Sequence, residues 1–317
     1  MWKNLLRTAA FFTVFALIFL LISPVFYPKD NSGYAGIHED HAKGFLAEPE
    51  NSIDVLFLGD SEAYSAFLPL KLWEEQGITS YVCSTGNQVM YQSLSYLKRV
   101  FQEQKPKMVV FETNALYREF TLADVISHAG EEVFPFLRYH DRWKKLTFAD
   151  LTEPVEHRHL VRDKGYAFHM EEDPADTAGY MIPTEEAQPV PVINGVYLAK
   201  IRDFCRDQGV PLILVSTPST VNWSTYYHNG TKELAQELEI PFLDMNLMPE
   251  EIPIDWQKDS YDAGNHLNYH GACKVTSYMG QYFRETGLFG DKRQEEGYAS
   301  WKEALSDFKL ELEQTKQ

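Results

Sequence analysis

The chain has 317 residues, of which 44% are hydrophobic and 14% aromatic; this is enough for one large folded domain or two small ones and excludes a disordered chain. The formal net charge of -17 argues against nucleic acid as a partner, because phosphate binding requires a basic surface. Three cysteines, Cys83, Cys205 and Cys273, lie far apart without metal-ligand spacing, so we expect them to be small buried side chains.

The first element in chain order is an uncharged run from Thr8 to Tyr27, "TAAFFTVFALIFLLISPVFY". Twenty helical residues span the hydrocarbon core of a bilayer, so residues 8–27 are predicted to be a transmembrane anchor. Lys3 and Arg7 predict that residues 1–7 are cytoplasmic and that the rest is extracytoplasmic. A cleaved signal peptide is the alternative, but the run is longer than a usual h-region and lacks a clear cleavage site.

Residues 28–51 are rich in Pro, Gly, Asn and charge, which predicts a juxtamembrane linker. From residue 52 to residue 290, short apolar runs alternate with segments of helical spacing. This pattern predicts an α/β fold of three layers, α/β/α, with helices on both faces of a parallel sheet. The five predicted strands are "IDVLFLG", "ITSYVCSTGN", "PKMVVFETN", "VPLILVSTP" and "IPFLDMN".

The alternation fails between about residues 115 and 191. A structureless loop of that length is uncommon, so the segment is predicted to be an insertion that serves as a lid or substrate platform. Residues 291–317 are predicted to form a charged C-terminal helix. Its apolar residues recur at helical spacing and are expected to pack on the domain: Trp301, Leu305, Phe308 and Leu312.

A serine, a glycine, an asparagine and an Asp/His pair follow the predicted strands. Ser61 follows the first strand in "FLGDSEAY", Gly86 follows the second and Asn114 follows the third. Asp262 and His266 lie after the last strand, in "DSYDAGNHLNYHG". Because the carboxyl ends of parallel strands share one edge of the sheet, we expect these residues to converge there.

This set of residues matches the requirements of acyl transfer. Ser61 is predicted to be the nucleophile, His266 the base, and Asp262 the carboxylate that orients the imidazole. The backbone N–H groups of Ser61 and Gly86 and the side chain of Asn114 are predicted to form the oxyanion hole. The chemistry requires no metal, nucleotide or other cofactor.

Two of these residues have alternative interpretations. Gly-Asp-Ser is common in turns, and Ser61 would also be a good helix N-cap. His270 competes with His266 for the role of base. A helix that begins near Asn268 would put His270 in its first turn and His266 in the preceding loop, which favours His266.

Four segments resemble the motif blocks of the SGNH (GDSL-type) hydrolase superfamily, in the same order. They are "FLGDSEAY" with Ser61, "CSTGNQ" with Gly86, "VFETNALY" with Asn114, and "DAGNHLNYHGACKVTSYMGQYF" with His266. The resemblance covers residues 52 to 287, apart from the insertion. It implies a flavodoxin-like five-stranded sheet and ester chemistry at a serine.

Two positions depart from the pattern of this superfamily. Asp262 lies four residues before His266 rather than three, so Asp259 stays a weaker candidate for the orienting carboxylate. The third block reads "ETNA" around Asn114, without the usual Gly before Asn114 or Asp after it.

The second departure brings the chain closer to the membrane-anchored, cell-envelope branch of the superfamily. The segment "HLNYHGACKVTSYMGQYF", together with the single N-terminal anchor, resembles Gram-positive relatives of teichoic-acid D-alanyl-transfer and polysaccharide O-acetylation proteins. The resemblance implies acyl transfer onto, or acyl removal from, a cell-wall polysaccharide or teichoic acid, often beside a membrane-bound O-acyltransferase. Esterase and transferase differ in whether water or a sugar hydroxyl arrives second, and both stay open. A catalytically idle, membrane-tethered scaffold for such an acyltransferase is the alternative from another class.

Overall fold

The computed structural model describes residues 2–315, and its centre is a wholly parallel five-stranded sheet of order β2-β1-β3-β4-β5. This architecture confirms the predicted α/β fold. Four of the strands are buried along their whole length, as expected for apolar runs covered on both faces. The strands are β1 (Val55–Gly59), β2 (Ser80–Ser84), β3 (Met108–Glu112), β4 (Leu212–Ser216) and β5 (Phe242–Asp244).

Twelve α-helices lie within the described residues. They are α1 (Trp2–Ile22), α2 (Asp40–Lys43), α3 (Ser61–Ala66), α4 (Pro69–Gln76), α5 (Met90–Glu103), α6 (Leu122–Val133), α7 (Pro135–Tyr139), α8 (Ala149–Thr152), α9 (Val192–Asp207), α10 (Thr225–Glu237), α11 (Tyr269–Thr286) and α12 (Ala299–Thr315). Short 3-10 helices occupy Ser23–Phe26, Gly33–Ala35, Gly44–Ala47, Thr113–Tyr117, His140–Lys144 and Met245–Leu247.

The described chain divides into two compact units. Unit 1 comprises residues 1–40 and 120–159, and unit 2 comprises residues 41–119 and 160–317. The segment expected as an insertion, residues 115–191, is therefore divided between them. Met1 of the expected segment 1–7 and residues 316–317 of the expected C-terminal helix lie outside the described residues. The expected domain boundaries stay a prediction.

Unit 2 contains the sheet and its two helical layers. On one face α3, α4 and α11 pack over the sheet in a single apolar cluster that includes Phe57, Val110 and Phe283. On the other face α5 and α9 pack together and α10 lies against β5. Helix α12 extends the first layer, because Trp301 and Phe308 are buried against Trp73 and its neighbours. The regularly spaced apolar residues of α12 therefore pack on the domain, as predicted.

A buried ion pair also lies in unit 2. Lys164 Nζ is 2.6 Å from Glu48 Oε1, and both side chains are almost completely inaccessible. The Lys164 ammonium also lies over the ring of Trp301. Burial raises the pKa of the Glu48 carboxyl, and the charge of Lys164 opposes that rise.

Unit 1 contains the apolar N-terminal segment. Within residues 2–315, one helical segment, Trp2–Phe26, is long and apolar enough to cross a membrane by length and composition. Its side chains are largely exposed. The finding is compatible with a membrane span and with a signal sequence.

Candidate active site

The turn between β1 and α3 determines where Ser61 lies. A Cβ at Gly59 would lie 2.7 Å from the Cβ of Glu112 and 2.9 Å from the Cβ of Ala63, so no larger residue fits this close approach. Asp60 then caps α3 by accepting a hydrogen bond from Glu62 N. Ser61 is consequently the first residue of α3, where its backbone N–H has no acceptor inside the helix.

His266 lies in the loop before α11, which begins as the sequence predicts: Asn268 accepts hydrogen bonds from the N–H groups of His270 and Gly271. The Nε2 atom of His266 is 2.8 Å from Ser61 Oγ. Its Nδ1 atom is 2.6 Å from Asp262 Oδ2. A carboxylate can only accept, so Nδ1 carries the proton and Nε2 accepts from the Ser61 hydroxyl.

Asp262 therefore contacts His266 in spite of the extra residue between them. Its Oδ1 atom also accepts the backbone N–H of His266 at 2.7 Å. Asp259 is engaged elsewhere, because its Oδ2 atom lies 2.5 Å from Lys274 Nζ and accepts the N–H of Asp255. The structure thus brings Ser61, His266 and Asp262 together; their catalytic roles stay a prediction.

Gly86 and Asn114 flank this arrangement, since β1 pairs with β2 on one side and with β3 on the other. Gly86 lies two residues after β2 and is exposed. Asn114 lies in the 3-10 helix after β3, and its Nδ2 donates to Asp60 Oδ2 at 2.9 Å. An amide carries two N–H donors, and this hydrogen bond uses one of them. The oxyanion roles of both residues stay a prediction.

Three buried carboxyl groups lie behind the nucleophile: Asp60, Glu62 and Glu112. Asp60 pairs with Arg118, whose Nε donates to it at 2.7 Å. Burial, followed by the charge of Asp60, raises the pKa of both glutamic acids well above the usual range. Both glutamic acids therefore favour the neutral, protonated form more strongly than a carboxyl group in water does.

A side-chain network that the sequence did not indicate joins Glu62 to Asp262. Asn222 Nδ2 donates to Glu62 Oε1 and to Asn265 Oδ1, each at 2.6 Å. Asn265 Nδ2 in turn lies 3.3 Å from Asp262 Oδ2. Asn222 lies in "NWS", far in sequence from Glu62 and from Asp262, so residue spacing does not indicate this connection. The network therefore connects Glu62, the residue after Ser61, to the loop that contains His266.

Two tyrosines contribute further polar and aromatic groups to the site. Burial, followed by the charge of Asp60, raises the pKa of the Tyr64 phenol, and a side-chain hydrogen bond with Ser61 opposes that rise. A Cβ added at Gly86 would lie 3.8 Å from the Tyr64 hydroxyl. The ring of Tyr261 is parallel to that of His266, with centroids 5.6 Å apart. Tyr64 lies three residues after the serine in the sequence, and no pattern marks it as special.

No protein-family model and no curated protein sequence matches the chain. Among residues 2–315, no group of three or more His, Cys, Asp or Glu side chains is arranged to hold a metal ion.

Solved structures that align with the chain include several ester hydrolases. A GDSL-like lipase from Bacteroides thetaiotaomicron is 13% identical, with 78% of this chain and 97% of that chain covered at a TM-score of 0.38. The psychrotrophic esterase EstA from a Pseudoalteromonas species is 9% identical, with 74% and 99% covered at a TM-score of 0.40. The acetyl xylan esterase AlAXEase is 12% identical, with 73% and 99% covered at a TM-score of 0.39. Similarity this distant assigns no activity to the chain.

Proposed function

We propose that this protein is an extracytoplasmic serine esterase or O-acyltransferase that acts on acyl esters of a cell-envelope polysaccharide or teichoic acid. The observation that carries the proposal is the hydrogen-bonded series Ser61, His266 and Asp262, with distances of 2.8 and 2.6 Å. Nucleophile, base and orienting carboxylate within hydrogen-bond reach are what acyl transfer through an acyl-serine needs.

The first half of the reaction follows from these contacts. Ser61 Oγ attacks the ester carbonyl while His266 Nε2 takes the hydroxyl proton. Asp262 keeps Nδ1 protonated and stabilises the imidazolium that forms. The N–H groups of Ser61 and Gly86, and the second amide N–H of Asn114, stabilise the oxyanion. The imidazolium then returns its proton to the leaving alcohol, and the acyl group stays on Ser61.

The second half regenerates the serine. Water or a sugar hydroxyl loses its proton to His266 as its oxygen attacks the acyl-serine carbonyl. Collapse of the tetrahedral intermediate returns the proton to Ser61 Oγ. Water as acceptor gives an esterase, and a sugar hydroxyl gives a transferase. The apolar segment Trp2–Phe26 supports a location beside the cell envelope, where a membrane-bound O-acyltransferase would be a natural partner.

The proposal is tested with the purified full-length chain in detergent. A fluorophosphonate probe should label Ser61, as read by peptide mass spectrometry, and Ser61→Ala should abolish the labelling. If the wild-type chain is not labelled and Ser61→Ala keeps the cellular role, the protein is an idle scaffold of an acyltransferase and the proposal is wrong.

The direction and the substrate need a second experiment. Mass analysis of wall polymers from cells with and without the protein measures their ester-linked acyl groups. A transferase predicts fewer acyl groups when the protein is absent, and an esterase predicts more. Unchanged polymers would refute the proposed substrate class while leaving the labelling result intact.

A further inference from the structure

The C-terminal end of the apolar segment is part of a folded core in unit 1. The 3-10 helix Ser23–Phe26 continues directly from α1, and Phe26 is buried in a cluster with Ile37 and Tyr139. The carbonyl of Phe26 accepts a hydrogen bond from Arg142 Nη1 at 2.7 Å. The contacts with Tyr139 and Arg142 connect the end of the segment to residues more than a hundred positions away in sequence.

The same unit contacts the segment one turn before its end. The ring of Phe19 lies 5.1 Å from that of Phe134 and 5.3 Å from that of Phe136. The backbone N–H of Phe136 also donates to Ser23 Oγ at 2.9 Å. Phe19 precedes the end of α1 at Ile22 by three residues, which is about 5 Å along a helix axis. The junction of α6 and α7 therefore lies level with the last turn of α1.

Helix α6 leads to this junction and has one exposed apolar face. Leu122, Ile126, Ala129 and Val133 lie within about 60° of one another on a helix of 3.6 residues per turn. The side chains of Leu122, Ile126 and Val133 are 74%, 64% and 63% exposed. No residue of α6 is buried within the described structure, so this unit leaves the face uncovered.

The chain after α7 also exposes large apolar side chains. Trp143, Phe148 and Leu151 are all well exposed. Two exposed lysines, Lys144 and Lys145, accompany them. Exposed large apolar side chains with an aromatic ring and basic residues alongside are typical of segments that lie in a membrane interface.

We propose that residues 120–152, which we call the interface segment, lie in the boundary of the bilayer that α1 spans, and that α1 is a retained anchor. The occupant of the apolar face is lipid. If α1 spans the bilayer, the contact of Phe19 with Phe134 and Phe136 puts the C-terminal end of this face at the membrane boundary. The lysines then face lipid headgroups, and Trp143 lies at the depth that tryptophan prefers.

Retention of α1 follows from the packing of its end. Cleavage of a signal peptide after the apolar run would remove Phe26 from the core of unit 1 and Ser23 from the N–H of Phe136. Processing would therefore expose the apolar groups that Phe26 covers. This inference is independent of the proposed chemistry, because none of these residues belongs to the site around Ser61.

The test uses the full-length chain in vesicles of phosphatidylcholine and phosphatidylglycerol. An environment-sensitive thiol-reactive fluorophore is attached to Ile126→Cys and, in a second variant, to Phe148→Cys. Ser127→Cys is the matched control, because Ser127 is an exposed neighbour of Ile126 that points away from the apolar face. The wild-type chain gives the background from Cys273, the native cysteine that is not fully buried. Circular dichroism confirms that each variant is folded.

Lipids brominated on their acyl chains should quench the fluorophores at positions 126 and 148 several-fold more than the fluorophore at position 127. Intact mass of the membrane-purified protein should include α1. Equal, water-like emission at all three positions would overturn the proposal. The proposal would also be overturned if the fluorophores at positions 126 and 148 were shielded from aqueous iodide but not quenched by brominated lipid, because a protein would then cover the apolar face. A mature chain that begins after Phe26 would refute retention.

Discussion

Asp262→Asn is the substitution that most directly tests the arrangement around Ser61. The oxygen of the introduced amide could still accept the backbone N–H of His266, which Asp262 Oδ1 accepts at 2.7 Å in the wild-type chain. The NH₂ group of that amide would then face His266 Nδ1, which lies 2.6 Å from Asp262 Oδ2. Two donors cannot face each other, so Nδ1 would lose its proton and Nε2 would gain it. The imidazole would then present a donor to Ser61 and could not act as base.

The size of the effect follows from the same geometry. Loss of the correct tautomer in a serine triad costs about 10⁴ in kcat, or about 5 kcal/mol of transition-state stabilisation. The Asp262 side chain is 30% exposed, so water can partly replace it. We therefore expect a smaller decrease than this reference value, about 10³-fold in kcat.

The assay is hydrolysis of p-nitrophenyl acetate by the full-length chain in detergent at neutral pH. Asp259→Asn is the matched control, because Asp259 pairs with Lys274 rather than with His266. This variant should keep its activity while losing about 1–2 kcal/mol of stability, as expected for a partly exposed ion pair. The reasoning is refuted if Asp262→Asn keeps more than about a tenth of wild-type kcat, or if Asp259→Asn loses as much activity as Asp262→Asn.

Three further substitutions test the surroundings of the site and the core of unit 2. Tyr64→Phe removes a donor next to Ser61 and should lower kcat by about tenfold or more with an unchanged melting temperature; an unchanged kcat would show that the hydroxyl does not contact the reacting groups. Glu62→Gln mimics the protonated acid. Burial raises the pKa of Glu62 in the folded chain, so the contribution of Glu62 to the stability of the wild-type chain decreases as pH rises above 4.5. The melting temperature of the variant relative to wild type should therefore increase from pH 5 to pH 8. A difference in melting temperature that does not change with pH would contradict the raised pKa. Lys164→Met leaves Glu48 buried without its partner and should cost about 3–5 kcal/mol in denaturant unfolding, part of which the double variant with Glu48→Gln should recover.

The sheet was predictable because each strand carries its own signal. A short apolar run bounded by turn residues is buried on both faces, and this depends on the run alone. The helix cap at Asn268 and the regularly spaced apolar residues of α12 were predictable for the same reason, because each depends on residues close together in sequence. The residues that follow the strands could be located once the strands were known, since parallel strands all end at one edge.

The network around Glu62 was not predictable, because its partners are distant in sequence. Glu62 and Asn222 are 160 positions apart, and either residue alone looks like an ordinary polar residue near a turn. The raised pKa of Glu62 likewise depends on tertiary burial and on the charge of Asp60. The division of residues 115–191 between two units has the same origin, because contacts of residues 120–159 with the N-terminal segment determine it.

The loop between Asp262 and His266 shows how an irregular spacing can preserve a geometry. Ala263 and Gly264 both have left-handed backbone conformations, with φ of 56° and 89°, and these fold the extra residue into a tight turn. Ser260 Oγ accepts the N–H of Gly264 at 2.6 Å, and a Cβ at Gly264 would overlap the side chain of Thr220. Ser260 and Thr220 thus both constrain the turn. The turn brings His266 back towards Asp262, so that the two carboxylate oxygens of Asp262 contact the backbone N–H and the ring Nδ1 of His266. The spacing that cast doubt on Asp262 is accommodated by the conformation of the two residues that follow it.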